Sequence, residues 1–591
     1  MKPEPSPMRL ARLRSAFFLA VLLVTGIAAG VPCHAGDSRP NLVLIMTDDQ
    51  GYGDLGITGN PVLETPNIDA FARQSAWMLN FHVSPVCSPT RACLMTGRYN
   101  YRTRVIDTFK GRSMMDPAEV TVAEVLRDAG YATGIFGKWH LGDEYPMRPN
   151  DQGFEEALVL RGGGLAQPSE PIENRRRYTD PVLFHNDRQV QTQGYCTDVY
   201  FTAAMEFMQS RQAAGKPFFV YLAPNAPHGP FHDVPQALYE KYKAKDLRPV
   251  LTFGWKNADV LARIFAMEEN IDQNVGRLMQ FLGDRGLAEN TLVIYLADNG
   301  PDGRRYVGPM RGMKSEVHDG GIRSPFFAHW PARLKAGMKV DRIAAHIDVM
   351  PTLLEAAGVP VPSGLKLDGR SLLPLLEGRP VEWPDRTLVL QSHRGDAPIS
   401  FHNIAVRSQR WKLVHPTGFG REQMPGDVSW ELYDMSQDLA EGSNLVTNQP
   451  AEMKRLAEAY AAWFKDVSST RPDNYAPPRI VIGSDHDVST LLTRQDWRVD
   501  DPEGWGKGGR WLLHAERDGV YDLILRWPEP VEPATIEVLA GGVERSVALE
   551  RASDRVEISG LAIPAGDLDL RVRVLRGSKQ EDAYQVVLNR R

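Results

Sequence analysis

Cysteine is scarce in this chain: 591 residues hold four, Cys33, Cys87, Cys93 and Cys196. Cys33 falls in a leader-like N-terminus, and the three that remain are too few for a disulfide framework. An odd cysteine in an oxidising compartment points instead to a special fate for one of them. Beyond the N-terminus no apolar run is long enough to span a membrane. A large excess of one charge is missing as well: 68 Lys and Arg face 74 Asp and Glu, a formal net charge of −6. That balance, without a polybasic stretch, excludes the electrostatic footprint of a nucleic-acid binder or a membrane-surface protein. Internal repeats and low-complexity segments are absent too. What is present is ordinary for soluble domains, 42% hydrophobic and 24% charged residues, in a chain too long for one domain.

The N-terminus has the layout of a secretory signal. Arg9, Arg12 and Arg14 precede an apolar run from Ala16 to Val24, and small residues around Ala35 and Gly36 offer a cleavage point. A membrane anchor is the weaker reading, because the run is short for a span. The expectation is a signal peptide over 1–35 and a secreted or periplasmic protein without stable membrane insertion.

Four short apolar runs read as buried strands, each ending in polar residues. Asn41–Met46 runs into Asp48-Asp49, and Ala132–Phe136 into Lys138 and His140. Phe218–Leu222 leads to His228, and Leu292–Leu296 to Asp298-Asn299. Unbroken apolar strands imply a mostly parallel sheet covered on both faces. Val260, Ile264, Met267, Ile271, Val275, Leu278 and Leu282 form one helical stripe between them. The alternation predicts an α/β fold whose functional crevice lies beyond the carboxyl ends of the strands. All four polar clusters fall there.

After about residue 385 the pattern changes. Thr387–Gln391, Ile404–Val406, Lys412–His415 and Glu431–Asp434 read as strands, and Glu452–Phe464 as a helix. A Pro-rich stretch then precedes short strands at Trp511–Ala515, Val520–Trp527, Ala534–Leu539, Val556–Ile558 and Leu568–Val574, the signature of a β-sandwich. The expected division is a catalytic α/β domain over 36–385, an α+β subdomain over 386–470, a linker over 471–479 and an accessory sandwich over 480–591.

Asp48, Asp49, Asp298 and Asn299 gather hard oxygen donors at one sheet edge, which suits Ca²⁺, with Mg²⁺ second, rather than zinc. The bland alternative is that they cap strand-to-helix turns. Cys87-Ser-Pro-Thr-Arg91 opens a helix-forming stretch, so Cys87 sits near a helix N-terminus, where the dipole would lower a thiol pKa. Composition alone favours a buried structural cysteine. Lys138, His140, His228 and Lys314 add cations beside the oxygen cluster, which suits a substrate carrying a compact oxyanion. Each alone could be a solvated charge or a loop histidine.

Two segments carry a family resemblance. Cys87-Ser-Pro-Thr-Arg91 through Thr96-Gly97, and Gly130-Tyr131-Ala-Thr133 through Gly137-Lys138-Trp139-His140, resemble the two signatures of the formylglycine-dependent sulfatases of the alkaline phosphatase superfamily. The likeness spans roughly residues 40–470 and leaves the sandwich outside. It implies an alkaline-phosphatase-like, mixed and mostly parallel sheet between helices. It implies that a formylglycine-generating or anaerobic sulfatase-maturating enzyme oxidises Cys87 to formylglycine, whose hydrate attacks the ester and gives a sulfo-enzyme. Asp48, Asp49, residue 87, Asp298 and Asn299 would hold Ca²⁺, and Arg91 would stabilise the nucleophile and the metal shell. Lys138 and Lys314 would bind sulfate oxygens. His228, with Lys314, would protonate the departing alcohol, and His140 would deprotonate the second hydroxyl to expel sulfate.

Three rivals stand beside that expectation. Two are an arylsulfatase and a phosphonate or phosphate ester hydrolase of the same superfamily. The third, a non-catalytic binding protein working through the sandwich, fits poorly with a complete catalytic set. The expected substrate is a carbohydrate sulfate, since export and an added sandwich suit a glycan. The loops 145–150, 161–177 and 231–249 would shape its pocket, with Arg148, Arg161 and Arg175-Arg176-Arg177 meeting further anionic groups.

Overall fold

Strand β1 (Asn41–Thr47) shows why the apolar runs are unbroken: Leu42, Leu44 and Met46 enter one hydrophobic core while Val43 and Ile45 enter another. The computed structural model describes residues 39–252, 257–501 and 504–591, so the signal peptide expected over 1–35 lies outside the described residues. The sheet continues with β2 (Ala76–His82), β3 (Ala132–Lys138), β4 (Glu156–Leu160), β5 (Val182–His185) and β6 (Arg188–Gln191). It is completed by β7 (Phe218–Ala223), β8 (Thr291–Ala297), β9 (Phe326–His329) and β10 (Lys339–Ala345). The order is β10-β2-β9-β8-β1-β7-β3-β4-β5-β6.

The four strands read from sequence are the parallel centre, β8-β1-β7-β3, in register through Leu42↔Leu292, Leu42↔Phe219 and Thr133↔Phe219. Helices cover both faces. The helix Ala258–Asp284 buries Ile264, Met267, Ile271, Val275, Leu278 and Leu282 in one core, with Val260 at its margin. Val122–Asp128 and Val349–Ala357 fill the other. The fold is thus a mixed α/β architecture around a large, mostly parallel sheet, as the sequence predicts.

The next sheet is antiparallel, Leu388–Gln391, Ile404–Arg407, Trp411–His415 and Glu431–Asp434 in sequential order, and the helix Pro450–Ser468 packs Leu456 and Tyr460 against it. Residues 471–479 are tied down. Arg471 pairs with Asp116 and Glu119 at 2.7 Å each, and the buried Tyr475 hydroxyl donates to the Val467 carbonyl (3.1 Å). Two sheets then face each other over Trp511, Leu523, Val538, Leu570 and Leu588. Strands Ser489–Thr493, Val543–Leu549 and Gln585–Arg590 join those read from sequence. Val543–Leu549 has no fully buried residue, so it offers no hydrophobic alternation to read.

The sandwich core also takes in Met114 and Met147 from the N-terminal half. Beside them lies a buried polar contact. The Asp143 N–H donates to Asp496 Oδ2 (2.8 Å), and Thr493 Oγ1 donates to Asp143 (3.0 Å). Burial, with Asp496 and Glu170 nearby, pushes the Asp143 carboxyl well up, and burial pushes Asp496 up to about 6. A carboxyl with a raised folded pKa holds its proton more tightly folded than unfolded, so stability falls as pH climbs from about 4 through 6. Asp496→Asn keeps an acceptor for the Asp143 N–H and removes the charge. Its Tm is expected to exceed the parent's by ~2–4 °C at pH 8 and to match it at pH 4.5. A gain of equal size at both pH values would assign the effect to something other than charge.

Candidate active site

The carboxyl ends of β1, β3, β7 and β8, the helix that starts at Cys87 and the loop at Lys314 bring the predicted residues to one pocket. Asp48, Asp49, Arg91, Lys138, Asp298 and Asn299 are almost wholly inaccessible. Lys138 Nζ donates to Asp48 Oδ2 (2.7 Å), and Arg91 Nη2 to Asp298 Oδ2 (2.8 Å). Lys314 Nζ reaches both Asp49 carboxylate oxygens, at 2.6 and 2.8 Å, and Asn299 Nδ2 donates to Asp49 Oδ1 (2.8 Å). Asp49 itself adopts a left-handed backbone (φ 66°), fixed by its N–H on Asp298 Oδ1 (3.2 Å). Burial alone would raise its carboxyl, but Lys314, His228 and Lys138 hold it well below the usual range. Asp298 is pushed up to about 6 by burial and by Asp48, against Arg91 and Lys138.

Three carboxylates therefore face the buried Arg91 and Lys138 and the half-buried Lys314, and two oxygens are left over. Asp48 Oδ1 and Asn299 Oδ1 are buried without a hydrogen-bond partner. Ligand atoms of Asp48, Cys87 and Asp298 lie within 4.8 Å of one another, as do those of Asp48, Asp49 and His228. The side-chain oxygens of Asp48, Asp49, Asp298 and Asn299, two of them buried without a partner, fit a hard divalent cation such as Ca²⁺.

Cys87 begins the helix Cys87–Thr96, as its Pro89 suggested, and is buried and free, like Cys93 and Cys196. The dipole does not leave a ready thiolate. Burial pushes the Cys87 thiol up, opposed by Lys138 and Lys314. Arg91, one turn on, donates Nη1 to the Lys138 carbonyl (2.9 Å) and the Tyr221 hydroxyl (3.4 Å).

The two histidines differ in which nitrogen is available. His140 donates Nε2–H to the Thr108 carbonyl (2.7 Å), because a carbonyl can only accept. Its Nδ1 is buried without a partner, and burial plus Lys138 and Arg91 hold the ring well below its usual pKa. His228 donates Nδ1–H to the Gly229 carbonyl (2.8 Å), and its Nε2 stands 3.7 Å from Asp49 Oδ2. Burial and Lys314 push it down to about 4, opposed by Asp49.

The family model described as Sulfatase matches residues 40–359, and that for the C-terminal part of N-sulphoglucosamine sulphohydrolase matches 313–465. The chain belongs to the sulfatase family. It is similar to N-acetylgalactosamine-6-sulfatase of Sus scrofa, 32% identical over 72% of this chain and 79% of that protein. It is similar to arylsulfatase A of Homo sapiens, 32% identical over 72% of this chain and 86% of that one. Among solved structures, that of Ps i-CgsB in complex with k-i-k-neocarrahexaose matches with TM-score 0.62 and 26% identity, over 72% of this chain and 93% of that one. Neither family model extends over the sandwich of this sulfatase.

Some supporting residues were not legible. Arg305 donates Nη2 to the Asp49 carbonyl (2.9 Å) and pairs with Asp54 (2.7 Å), bracing the left-handed turn. In sequence it looks like one more charge in a Gly-Arg-Arg run. Gln495 Nε2 donates to the Thr108 carbonyl (2.9 Å) that also holds His140. It comes from the sandwich segment, 387 positions from its partner, and nothing local announces it. Arg148 and Arg161, expected to meet substrate anions, are buried instead. Arg148 pairs with Asp151 (2.9 Å), Asp187 (3.0 Å) and Asp487 (3.2 Å), and Arg161 with Glu144.

Proposed function

We propose that this sulfatase hydrolyses a carbohydrate sulfate ester with a formylglycine at position 87 as its nucleophile. The observation that carries the reading is the setting of Cys87, at a helix start among Lys138, Lys314, Asp48 and Asp298. A thiol made less acidic by burial is a poor nucleophile there, whereas an aldehyde hydrate needs no thiolate. Oxidation of Cys87 would be the work of a maturation enzyme, during export through the signal expected over 1–35.

Asp48, Asp49, residue 87, Asp298 and Asn299 would hold Ca²⁺, which would supply Lewis acidity to the site. Arg91 keeps Asp298 ionised beside residue 87, and Lys138 and Lys314 offset charge that develops on the sulfuryl oxygens. His228, protonated once the anionic ester is bound, hands the Nε2 proton to the departing alcohol oxygen. Neutral His140, with Nδ1 free, takes the proton of the second hydroxyl as sulfate leaves residue 87.

The sugar preference rests on two similar proteins, whose names specify N-acetylgalactosamine-6-sulfatase and a complex with neocarrahexaose. An arylsulfatase and a phosphonate or phosphate ester hydrolase are the alternatives. The test is kcat/KM across sulfated mono- and oligosaccharides, nitrophenyl sulfate and a phenyl phosphonate ester. One sugar sulfate is expected to win, and a phosphonate turned over best would hand the case to that rival.

Gln495 offers a check on the role of His140. Gln495→Ala frees the shared Thr108 carbonyl and loosens the ring, with an expected kcat loss of roughly 10-fold. Since His140 acts after the alcohol has left, nitrophenyl sulfate should then give a burst of nitrophenolate followed by slower turnover. A loss without a burst would remove Gln495 from His140 positioning.

A further inference from the structure

A cleft of about 870 Å³ opens between the loop 165–176 and the sandwich. Its size is that of a site for several sugar rings rather than one. The loop that forms one wall of the cleft starts beside the catalytic pocket. Gly164 lies so near His228 that an added methyl would stand 2.9 Å from Nδ1, and the next residues, Leu165 to Gln167, line the cleft. The sandwich fixes this wall, since buried Gln585 donates to the Glu170 carbonyl (2.9 Å) and Arg526 pairs with Glu173.

Both sides of the cleft carry both signs, but Arg526 of the sandwich side is paired with Glu173 of the loop, and Arg555 with Glu557. Arg175 and Arg176 are exposed on the loop side, both with left-handed backbone (φ 46° and 61°). Glu529 and Asp554, also exposed, and the half-buried Tyr584 line the cleft from the sandwich side. Neither arginine is drawn into an ion pair among the described residues, in contrast to Arg148 and Arg161. Guanidinium groups suit sulfate or carboxylate, carboxylates accept from sugar hydroxyls, and a phenol ring packs on a sugar face.

We propose that this cleft is a subsite for the remainder of an anionic oligosaccharide, with Arg175 and Arg176 binding a second acidic group of the chain whose terminal sulfate is cleaved. The proposal rests on the carbohydrate-sulfatase reading. It makes the sandwich one wall of the substrate site, and it leaves Arg177, which does not line the cleft, without a part.

The probes are oligosaccharides of one to six sugars ending in N-acetylgalactosamine 6-sulfate, together with k-i-k-neocarrahexaose. The variants are Arg175→Asn/Arg176→Asn, since Asn tolerates the left-handed backbone, and Arg175→Lys/Arg176→Lys, which keeps the charge. In the parent, kcat/KM is expected to rise about 10-fold or more from one sugar to four, and the Asn pair to lose that rise, chiefly in KM, with partial rescue by the Lys pair. A rise that survives in the Asn pair, or no dependence on length, overturns the subsite. If no sugar sulfate is cleaved, the substrate reading falls and the subsite is judged by calorimetry on full-length Cys87→Ala protein. Hexasaccharide binding that the Asn pair abolishes upholds it, and absence of binding overturns it.

Discussion

Cys87→Ala protein is expected to hydrolyse no sulfate ester above background, a fall of roughly 10⁵-fold or more, while its folded stability changes little. Removing a nucleophile costs about as much as removing the whole set that serves it. The same loss is expected for protein that carries only unmodified Cys87, and here the local physics is informative. The thiol is buried and pushed up despite Lys138 and Lys314, which works against a thiolate there. Mass spectrometry of the peptide bearing position 87 should read an aldehyde in active material and a thiol in inactive material. Cys87→Ser separates the formylglycine route from a simple nucleophile. A serine has no second hydroxyl with which to expel sulfate, so it should retain a sulfate adduct and stop after one turnover. Sustained turnover by the serine variant, or full activity of the thiol form, would remove formylglycine from the mechanism.

The central sheet and the pocket residues were legible because their physics is local. A doubly covered parallel strand must be apolar at every position, and the chain writes this plainly in Asn41–Met46, Phe218–Leu222 and Leu292–Leu296. The polar residues just past the strand ends must then lie at one sheet edge, so Asp48, Lys138, His228 and Asp298 meet without any distance being known beforehand. The sandwich was half legible. Its inner strands alternate, but Val543–Leu549, with no fully buried residue, has no pattern to betray it. Least legible were the braces. Arg305 under Asp49, Gln495 on the carbonyl of Thr108 and the engagement of Arg148 with three acids are long-range pairings of commonplace residues. The thiol expectation failed for a related reason. A helix N-terminus is visible in sequence, whereas the burial that pushes the thiol up is a property of the assembled core.

His228→Ala is expected to separate substrates by their leaving groups. A general acid contributes about 10²–10⁴-fold where the departing oxygen is basic, and little where it leaves as a stable anion. The variant should therefore lose most of that range on a sugar sulfate, whose alkoxide needs a proton. On nitrophenyl sulfate it should lose less than about 10-fold. The geometry supports Nε2 as the working atom: Nδ1–H is committed to the Gly229 carbonyl, and Tyr178 holds the His228 backbone through its carbonyl. Without substrate, burial and Lys314 keep the ring neutral near neutral pH. A bound sulfate ester adds negative charge beside the imidazole, which favours its protonated form at the stage where a proton is needed. Lys314 is the only other proton carrier proposed for this step, but it is engaged with both oxygens of Asp49. Lys314→Ala should hence slow both substrates alike, through lost sulfate binding. The two variants make opposite patterns, and equal losses for His228→Ala on both substrates would move the histidine to binding and leave the proton to another donor.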